Sequence, residues 1–399
     1  MGDLMTDNKL KSDSAADPIM DLVQGARRLK ILVQVLELGL FDEIEAFGEP
    51  VTALGLSRKC GYNLDVTERL LNTLVCLKLL DKIKNKDGSS AYRNAASTLK
   101  YLTRSKRPSL IPVIMSEAHM ILPMIDNLPR ILKTGTSDKI CLQMMQGGDT
   151  RKANSPMNKT KNVANKTPQI LMPSKSSQPN PEINNNGNVN NSCSSSSMPA
   201  DMTMMFLSCM DGLASQCAPA MARAFDLTGH KTTADLGGGS GCFAYELARV
   251  YSNMHVTVFD LPQTTQIARK LQPEDTKSRV KFVAGDFFKD SLPSADLFVL
   301  GHVIHDWDRT NVDVLLKNVY EKLPAGGSLL LLEKMLNEEK DGPETCVLND
   351  LAMAMISHGK ERSATEYRRL LEKHGFRNTQ IKRLHGNNTY DVLLARKPF

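Results

Sequence analysis

Residues 232–260, TTADLGGGSGCFAYELARVYSNMHVTVFD, carry three glycines at alternate positions, Gly237, Gly239 and Gly241, just behind Asp235. A strand that turns at once into a helix needs residues tolerant of positive φ, and a ligand lying on the turn needs backbone with no Cβ in its way. After the glycines, Phe243, Leu247 and Val250 recur at helical spacing, and HVTVF then alternates into a second strand that ends at Asp260. Strand, glycine turn, helix and strand form a βαβ unit, which commits the chain to a mainly parallel sheet covered by helices.

An acid about 20 residues beyond the glycines, at the tip of the second strand, is placed to accept hydrogen bonds from a ribose diol. A dinucleotide site would show G-x-G-x-x-G, with a pyrophosphate on the helix N-terminus. Here Gly237, Gly239 and Gly241 fall on every second residue with Ser240 between the last two. That pattern favours S-adenosylmethionine, an adenosine ligand without phosphate.

Further strands follow at α/β intervals: VKFVAGD, SADLFVLGHVIHDW and GGSLLLLEKM, then QIKRL and YDVLLARK as a closing hairpin-like pair. Helices are expected over 263–271, 311–323 and 364–373. Ligands of such sheets sit outside the carboxyl ends of the strands. The candidate site residues are therefore the polar ones at strand ends: Asp235, Asp260, Asp286, His305, Asp306 and Glu333.

The N-terminal part reads differently. Over 17–40, Ile19, Leu22, Val23, Ala26, Leu29, Val33 and Leu36 make one wide apolar stripe. A short segment at 51–60, a helix begun by Asp65 and a hairpin turned by Asp87-Gly88 complete the order of a winged helix. Its second helix, NLDVTERLLNTLVCLKLL, is poor in cations, which argues for packing and dimerisation over DNA reading. Between 134 and 200 the chain turns Asn, Ser, Lys and Pro rich, and this tract is expected to be a disordered insertion. Counted from Lys133, it holds eight basic and three acidic side chains, against a net +6 for the whole chain, so the remainder is almost neutral and nucleic acid is not an expected partner. No apolar run approaches the roughly 18 residues of a membrane span, and no apolar leader is visible. A cytoplasmic protein with no membrane partner is expected, and its eight cysteines, none in a C-x-x-C pair, read as reduced structural thiols.

In this order, DLGGGSG, VTVFDLPQ, AGDFFKD, HVIHDW and GKERSATEYRRLLEKHGF resemble the caffeate-type S-adenosylmethionine-dependent O-methyltransferases. The resemblance spans 18–134 and 204–397 and implies three parts. These are an N-terminal helical, winged-helix dimerisation domain over 1–135, the insertion over 136–200, and a class I methyltransferase domain of Rossmann-like α/β fold over 201–399. It implies a homodimer. It also implies that Gly237, Gly239 and Gly241 cradle the cofactor, that Asp260 binds its ribose and that Asp286 and Phe287 contact its adenine, with Leu261, Gly285 and His302 completing the set.

By the same resemblance His305 is the catalytic base, Glu361 orients it and Glu333 flanks it, while Asp306, Ala352 and Ile356 contact the acceptor. The chemistry agrees: an aryl hydroxyl of pKa about 10 is protonated at neutral pH, and methyl transfer to it needs a positioned base. His302 and His305 form an H-x-x-H pair with no further ligand cluster, so no metal is expected. The acceptor is expected to be a small hydroxylated aromatic, N-acetylserotonin or a related hydroxyindole or phenol. Where relatives that act on N-acetylserotonin carry Arg and Asn, this chain has His302 and Ala352. The alternative function is a catalytically weak binding or assembly protein of the same fold.

Overall fold

The computed structural model describes residues 17–135, 200–384 and 390–399, apart from 86, 107 and 358. The insertion expected over 136–200 lies outside the described residues except for its last position.

The N-terminal part begins with α1 (Asp17–Glu37) and α2 (Leu40–Glu45), separated where Gly39 takes φ 67°. A single helix to residue 40 was expected. The left-handed glycine ends it early and turns the chain back, so that Val35, Leu36, Leu40 and Phe41 enter one core. There follow β1 (Val51–Thr52), α3 (Ala53–Cys60), α4 (Leu64–Cys76), β2 (Leu80–Lys84) and β3 (Ser90–Asn94). The Asn63 side chain caps α4 by accepting from the Val66 amide at 3.1 Å. The three strands form an antiparallel sheet in the order β1-β3-β2, and the Asp87 carboxylate ties the hairpin by accepting from the backbone and hydroxyl of Ser89. The first half of the expected apolar stripe does not join this core. Ile19 is 65 % exposed and Leu22 74 %, because nothing in the described chain packs over them.

After α5 (Ala96–Tyr101) come α6 (Ile111–Ser116), a π-helical turn (Glu117–Ile121), α7 (Leu122–Ile125) and α8 (Leu128–Thr134). The chain resumes in α9 (Ala200–Ala214) and α10 (Ala218–Ala222). Gly212 lets α9 lie directly on the preceding segment. A Cβ there would stand 2.6 Å from the Ser109 carbonyl oxygen.

The C-terminal part alternates β4 (Thr232–Leu236), α11 (Cys242–Val250), β5 (His255–Asp260), α12 (Pro262–Leu271), β6 (Val280–Ala284), β7 (Leu297–Gly301), α13 (Arg309–Lys322) and β8 (Ser328–Glu333). It ends with β9 (Met335–Leu336), α14 (Glu344–Ile356), β10 (Arg362–Ser363), α15 (Ala364–Lys373), β11 (Arg377–Lys382) and β12 (Asp391–Arg396). Seven strands form one sheet, ordered β11-β12-β8-β7-β4-β5-β6. Those from β8 to β6 are parallel, and β12 pairs antiparallel with β8 and β11. Along β8, Leu330 and Leu332 enter one core cluster, Leu329 and Leu331 the other. A strand buried on both faces reads as a continuous apolar run, as LLLL does. This is the class I methyltransferase sheet with an N-terminal domain attached. No described helix is long and apolar enough to cross a membrane.

Candidate active site

The glycine turn leaves β4 with Gly237 at φ 71°, Gly239 at 57° and Gly241 at 86°, conformations that side chains rarely adopt. A Cβ at Gly237 would press on Val303 at 2.9 Å, so that glycine serves packing as well. At Gly239 a Cβ would meet nothing closer than Leu207 at 3.6 Å, which leaves the top of the turn free for a ligand. The Asp260 carboxylate, at the end of β5, accepts from the Gly239 amide at 2.9 Å and the Leu261 amide at 2.7 Å. The Thr264 side chain donates to the same carboxylate, which leaves it one open acceptor position for a ribose hydroxyl. Asp235 is buried below the turn; burial first, then the charge of Asp260, pushes its carboxyl up to about 7. Ser240 hydroxyl donates to Asp211 at 2.8 Å and fastens the turn to α9.

Next to this turn, Gly285 is a glycine because any Cβ would overlap the Phe259 ring. Asp286 accepts from the Phe288 amide at 2.9 Å and pairs with Lys289 at 2.6 Å. Phe287 and Phe288 pack edge-on against each other and against Trp307, giving an aromatic wall beyond the end of β6.

Beyond β7 the chain makes a single 3-10 turn over Ile304–Asp306, which carries His305 into a nest of carboxylates. The His305 side chain is 3 % exposed, and its Nδ1 lies 2.8 Å from Glu361 Oε1 and 3.4 Å from Glu333 Oε2. Nε2 lies 3.5 Å from Asp306 Oδ1. Glu333 reaches this point from the tip of β8, and its other oxygen accepts from the amides of Val303 and Ile304, at 3.3 and 2.9 Å. Glu361 precedes β10, which pairs in parallel with β9, just after Glu333. That two-residue ladder holds the two carboxylates side by side.

The electrostatics follow from this crowding. Burial alone would lower the His305 pKa, but the charges of Glu333, Asp306 and Glu361 outweigh it and raise it to about 10. Burial lifts Glu333 to about 7 and Asp306 to about 6. Glu333 Oε2, Glu361 Oε2 and Asp306 Oδ1 are buried without a hydrogen bond among the described residues. His305, Glu333 and Glu361 also lie close enough together to ligate a cation, but the Nδ1 contact to Glu361 reads at least as well as an acid that orients an imidazole.

His302 takes φ 58° and sets its ring 4.4 Å from the rings of both His305 and Tyr390. Burial, then His305 and Lys334, keep it neutral by pushing its pKa well below the usual value. Its Nε2 is buried and unpaired among the described residues. Ala352 and Ile356, on the inner face of α14, are 8 % and 9 % exposed. The apolar stripe of α14 is narrower than its sequence suggests, since Leu348 and Leu351 point outward at 60 % and 42 % exposure.

Three residues enter the site without having been singled out by sequence. Asn349 donates its amide to Glu361 Oε1, and Asp350 accepts from the Glu361 amide at 2.8 Å, so α14 braces the acid. Arg362 donates to the Ile304 carbonyl at 3.4 Å and lies over the Tyr367 ring. No motif marks them. The six cysteines among the described residues are free thiols.

Comparison with known proteins agrees with this arrangement. An O-methyltransferase domain matches residues 192–377, and an O-methyltransferase dimerisation domain matches residues 20–104. The acetylserotonin O-methyltransferase of Gallus gallus is 30 % identical over 92 % of this chain and 93 % of its own length. A probable bifunctional dTTP/UTP pyrophosphatase/methyltransferase protein of Homo sapiens is 30 % identical over 95 % of this chain, which corresponds to 53 % of that protein. The crystal structure of human N-acetylserotonin methyltransferase in complex with SAM superposes with a TM-score of 0.77 at 26 % identity, covering 98 % of this chain and 99 % of that one. With the parallel sheet, the glycine turn and the histidine–carboxylate cluster in place, the chain belongs to the O-methyltransferase family that includes the acetylserotonin enzymes.

Proposed function

We propose that the protein moves a methyl group from S-adenosylmethionine to the hydroxyl of a small aromatic acceptor, with His305 as general base, and that it works as a homodimer. The observation that carries this reading is the buried His305–Glu361 contact of 2.8 Å, which leaves Nε2 to face an acceptor. Glu361 holds the proton on Nδ1, so Nε2 is the basic nitrogen. The cofactor supplies an electrophilic methyl on a sulfonium. Gly237, Gly239 and Gly241 offer backbone without side chains for it, Asp260 offers a carboxylate with a remaining acceptor position, and the Phe287–Trp307 wall offers ring contact. His305 takes the hydroxyl proton as the acceptor oxygen gains nucleophilic character. Glu333, Glu361 and Asp306 stabilise the imidazolium so formed. An imidazolium pKa of about 10 matches that of a phenol, which makes the proton transfer nearly thermoneutral. The unpartnered apolar half of α1 is the surface for the second copy, within the dimerisation domain.

Transfer of label from methyl-labelled S-adenosylmethionine into a panel of phenols and hydroxyindoles tests the proposal. No transfer to any member would leave the fold without the activity. Asp260→Ala is expected to weaken S-adenosylmethionine binding by about tenfold or more, each lost hydrogen bond being worth roughly 1 kcal/mol. Asp260→Asn keeps one acceptor oxygen and should fall between. Calorimetric titration measures both, and wild-type affinity in Asp260→Ala would remove Asp260 from the cofactor site.

Ala352 and Ile356 line the inner face of α14 with hydrocarbon, where an amide-bearing acceptor needs hydrogen-bond partners. Each unmade buried bond costs about 1 to 3 kcal/mol, so N-acetylserotonin is expected to be a poor acceptor beside less polar or differently substituted hydroxyarenes. Ala352→Asn should raise the rate with N-acetylserotonin selectively. If the unaltered protein prefers N-acetylserotonin to every other phenol, this pocket reading is wrong.

A further inference from the structure

Lys334 follows Glu333 directly, one residue beyond the end of β8. Only 7 % of Lys334 is exposed. Its ammonium lies 5.7 Å from the centroid of the Tyr390 ring, whose other neighbour is His302, the ring that touches His305. The charges that face it are Glu361 and Glu117, the latter heading the π-helical turn, together with the thiols of Cys346 and Cys217. Neither carboxylate comes within salt-bridge reach, and Lys334 donates no hydrogen bond among the described residues. A lysine drawn this far into the protein, with no hydrogen bond to its ammonium among the described residues, is a costly arrangement unless an anion completes it.

The strand order says on which side of the transferred methyl this cation sits. In the proposed site the cofactor runs from the end of β6, at Asp286 and Phe287, over Asp260 on β5 to the glycine turn after β4. His305 follows β7, and β8 lies beyond it in the sheet. Lys334 is thus separated from the glycine turn by the strand that carries the base, with neighbouring strands about 4.8 Å apart. In the proposed site, the space on that side of the base is the acceptor's.

We propose that Lys334 is a specificity-determining residue that binds a carboxylate on the acceptor, making the preferred substrate an anionic hydroxyarene. This rests on the methyl-transfer reading above and names the acceptor class for it. Fixed on its strand beside the base, the ammonium holds the acidic substituent through charge-assisted hydrogen bonds. The hydroxyl at the far side of the ring is left for His305. A residue that merely balanced Glu361 and Glu117 would affect stability and leave acceptor choice alone.

The test uses the full chain with 5-hydroxyindole-3-acetate and its neutral counterpart 5-hydroxytryptophol. Lys334→Met keeps side-chain length without charge, and Lys334→Arg keeps charge. In the unaltered protein the acid should be preferred in kcat/KM. Lys334→Met should lower kcat/KM for the acid by about tenfold or more, leave the alcohol within about twofold, and leave the Kd for S-adenosylmethionine unchanged, while Lys334→Arg retains the preference. Equal loss with both acceptors, or no loss with either, overturns the proposal. So does weakened S-adenosylmethionine binding with an unchanged acceptor ratio, because the methionyl carboxylate would then be the partner. Calorimetric binding of the two indoles in the presence of S-adenosylhomocysteine separates this idea from the activity itself. Lys334-dependent binding of the acid without turnover would sink the methyl-transfer reading and keep the anion site, and indifference of binding to Lys334→Met would sink the anion site.

Discussion

His305→Gln is expected to lower kcat by about 10²-fold or more while leaving the Kd for S-adenosylmethionine close to wild type. Glutamine preserves much of the volume and one donor toward Glu361, but no atom that can hold the acceptor's proton. The pH profile gives a second readout. With its pKa raised to about 10, His305 is charged at neutral pH, and the basic form is a small fraction that grows about tenfold per pH unit. The rate of the unaltered enzyme should therefore climb through the alkaline range and level off near pH 10, whereas His305→Gln should stay well below it through neutral pH and rise only as the acceptor itself ionises. Equal rates in the two proteins at neutral pH would leave orientation of the two substrates as the whole source of catalysis.

Gly359→Ala is expected to abolish most activity and to lower Tm, although Gly359 brings no side chain to the site. A Cβ at Gly359 would overlap the carbonyl oxygen of His305 and lie 2.6 Å from the carbonyl carbon of Asp306. Both obstacles are backbone, so nothing flexible can yield, and the 3-10 turn bearing His305 must move. Overpacking of this kind costs about 1 to 3 kcal/mol, and a displacement of roughly 1 Å at the base costs about 10²-fold in rate. Gly229→Ala is the control, since a Cβ there meets nothing within 4 Å. Full activity in Gly359→Ala would mean that this backbone contact does not fix His305.

Much of the architecture could be read from local pattern. The glycine spacing, the LLLL run of β8 and the helical spacing of α11 and α13 each had one good structural solution, and the strands fell where alternation and apolar runs placed them. Strand ends were readable for the same reason, because an acid following an apolar strand must emerge at the sheet edge. Glu333 and Asp260 were identifiable in this way. What failed to show was anything that depends on two distant segments meeting. Asn349 and Asp350 look like ordinary polar residues of a helix until α14 is laid against Glu361, twelve residues further on. Lys334 looks like a solvated charge after a strand until its burial is seen. The apolar stripe of α1 was legible as a stripe, but periodicity does not say whether the surface that covers it belongs to the same chain.

Helix α14 has two jobs on adjacent residues. In the proposed site Ala352 and Ile356 face the acceptor, while Asn349 and Asp350 hydrogen-bond Glu361, the acid proposed to orient His305. Selectivity and turnover are therefore mechanically linked. A bulky residue that widens acceptor range by tilting the helix drags Glu361 with it and detunes proton transfer, whereas a change that keeps the helix axis still alters one property without the other. Retuning this enzyme toward new phenols should thus proceed through small side chains at positions 352 and 356, and a poorly chosen large one should announce itself in a displaced alkaline limb before it shows in KM.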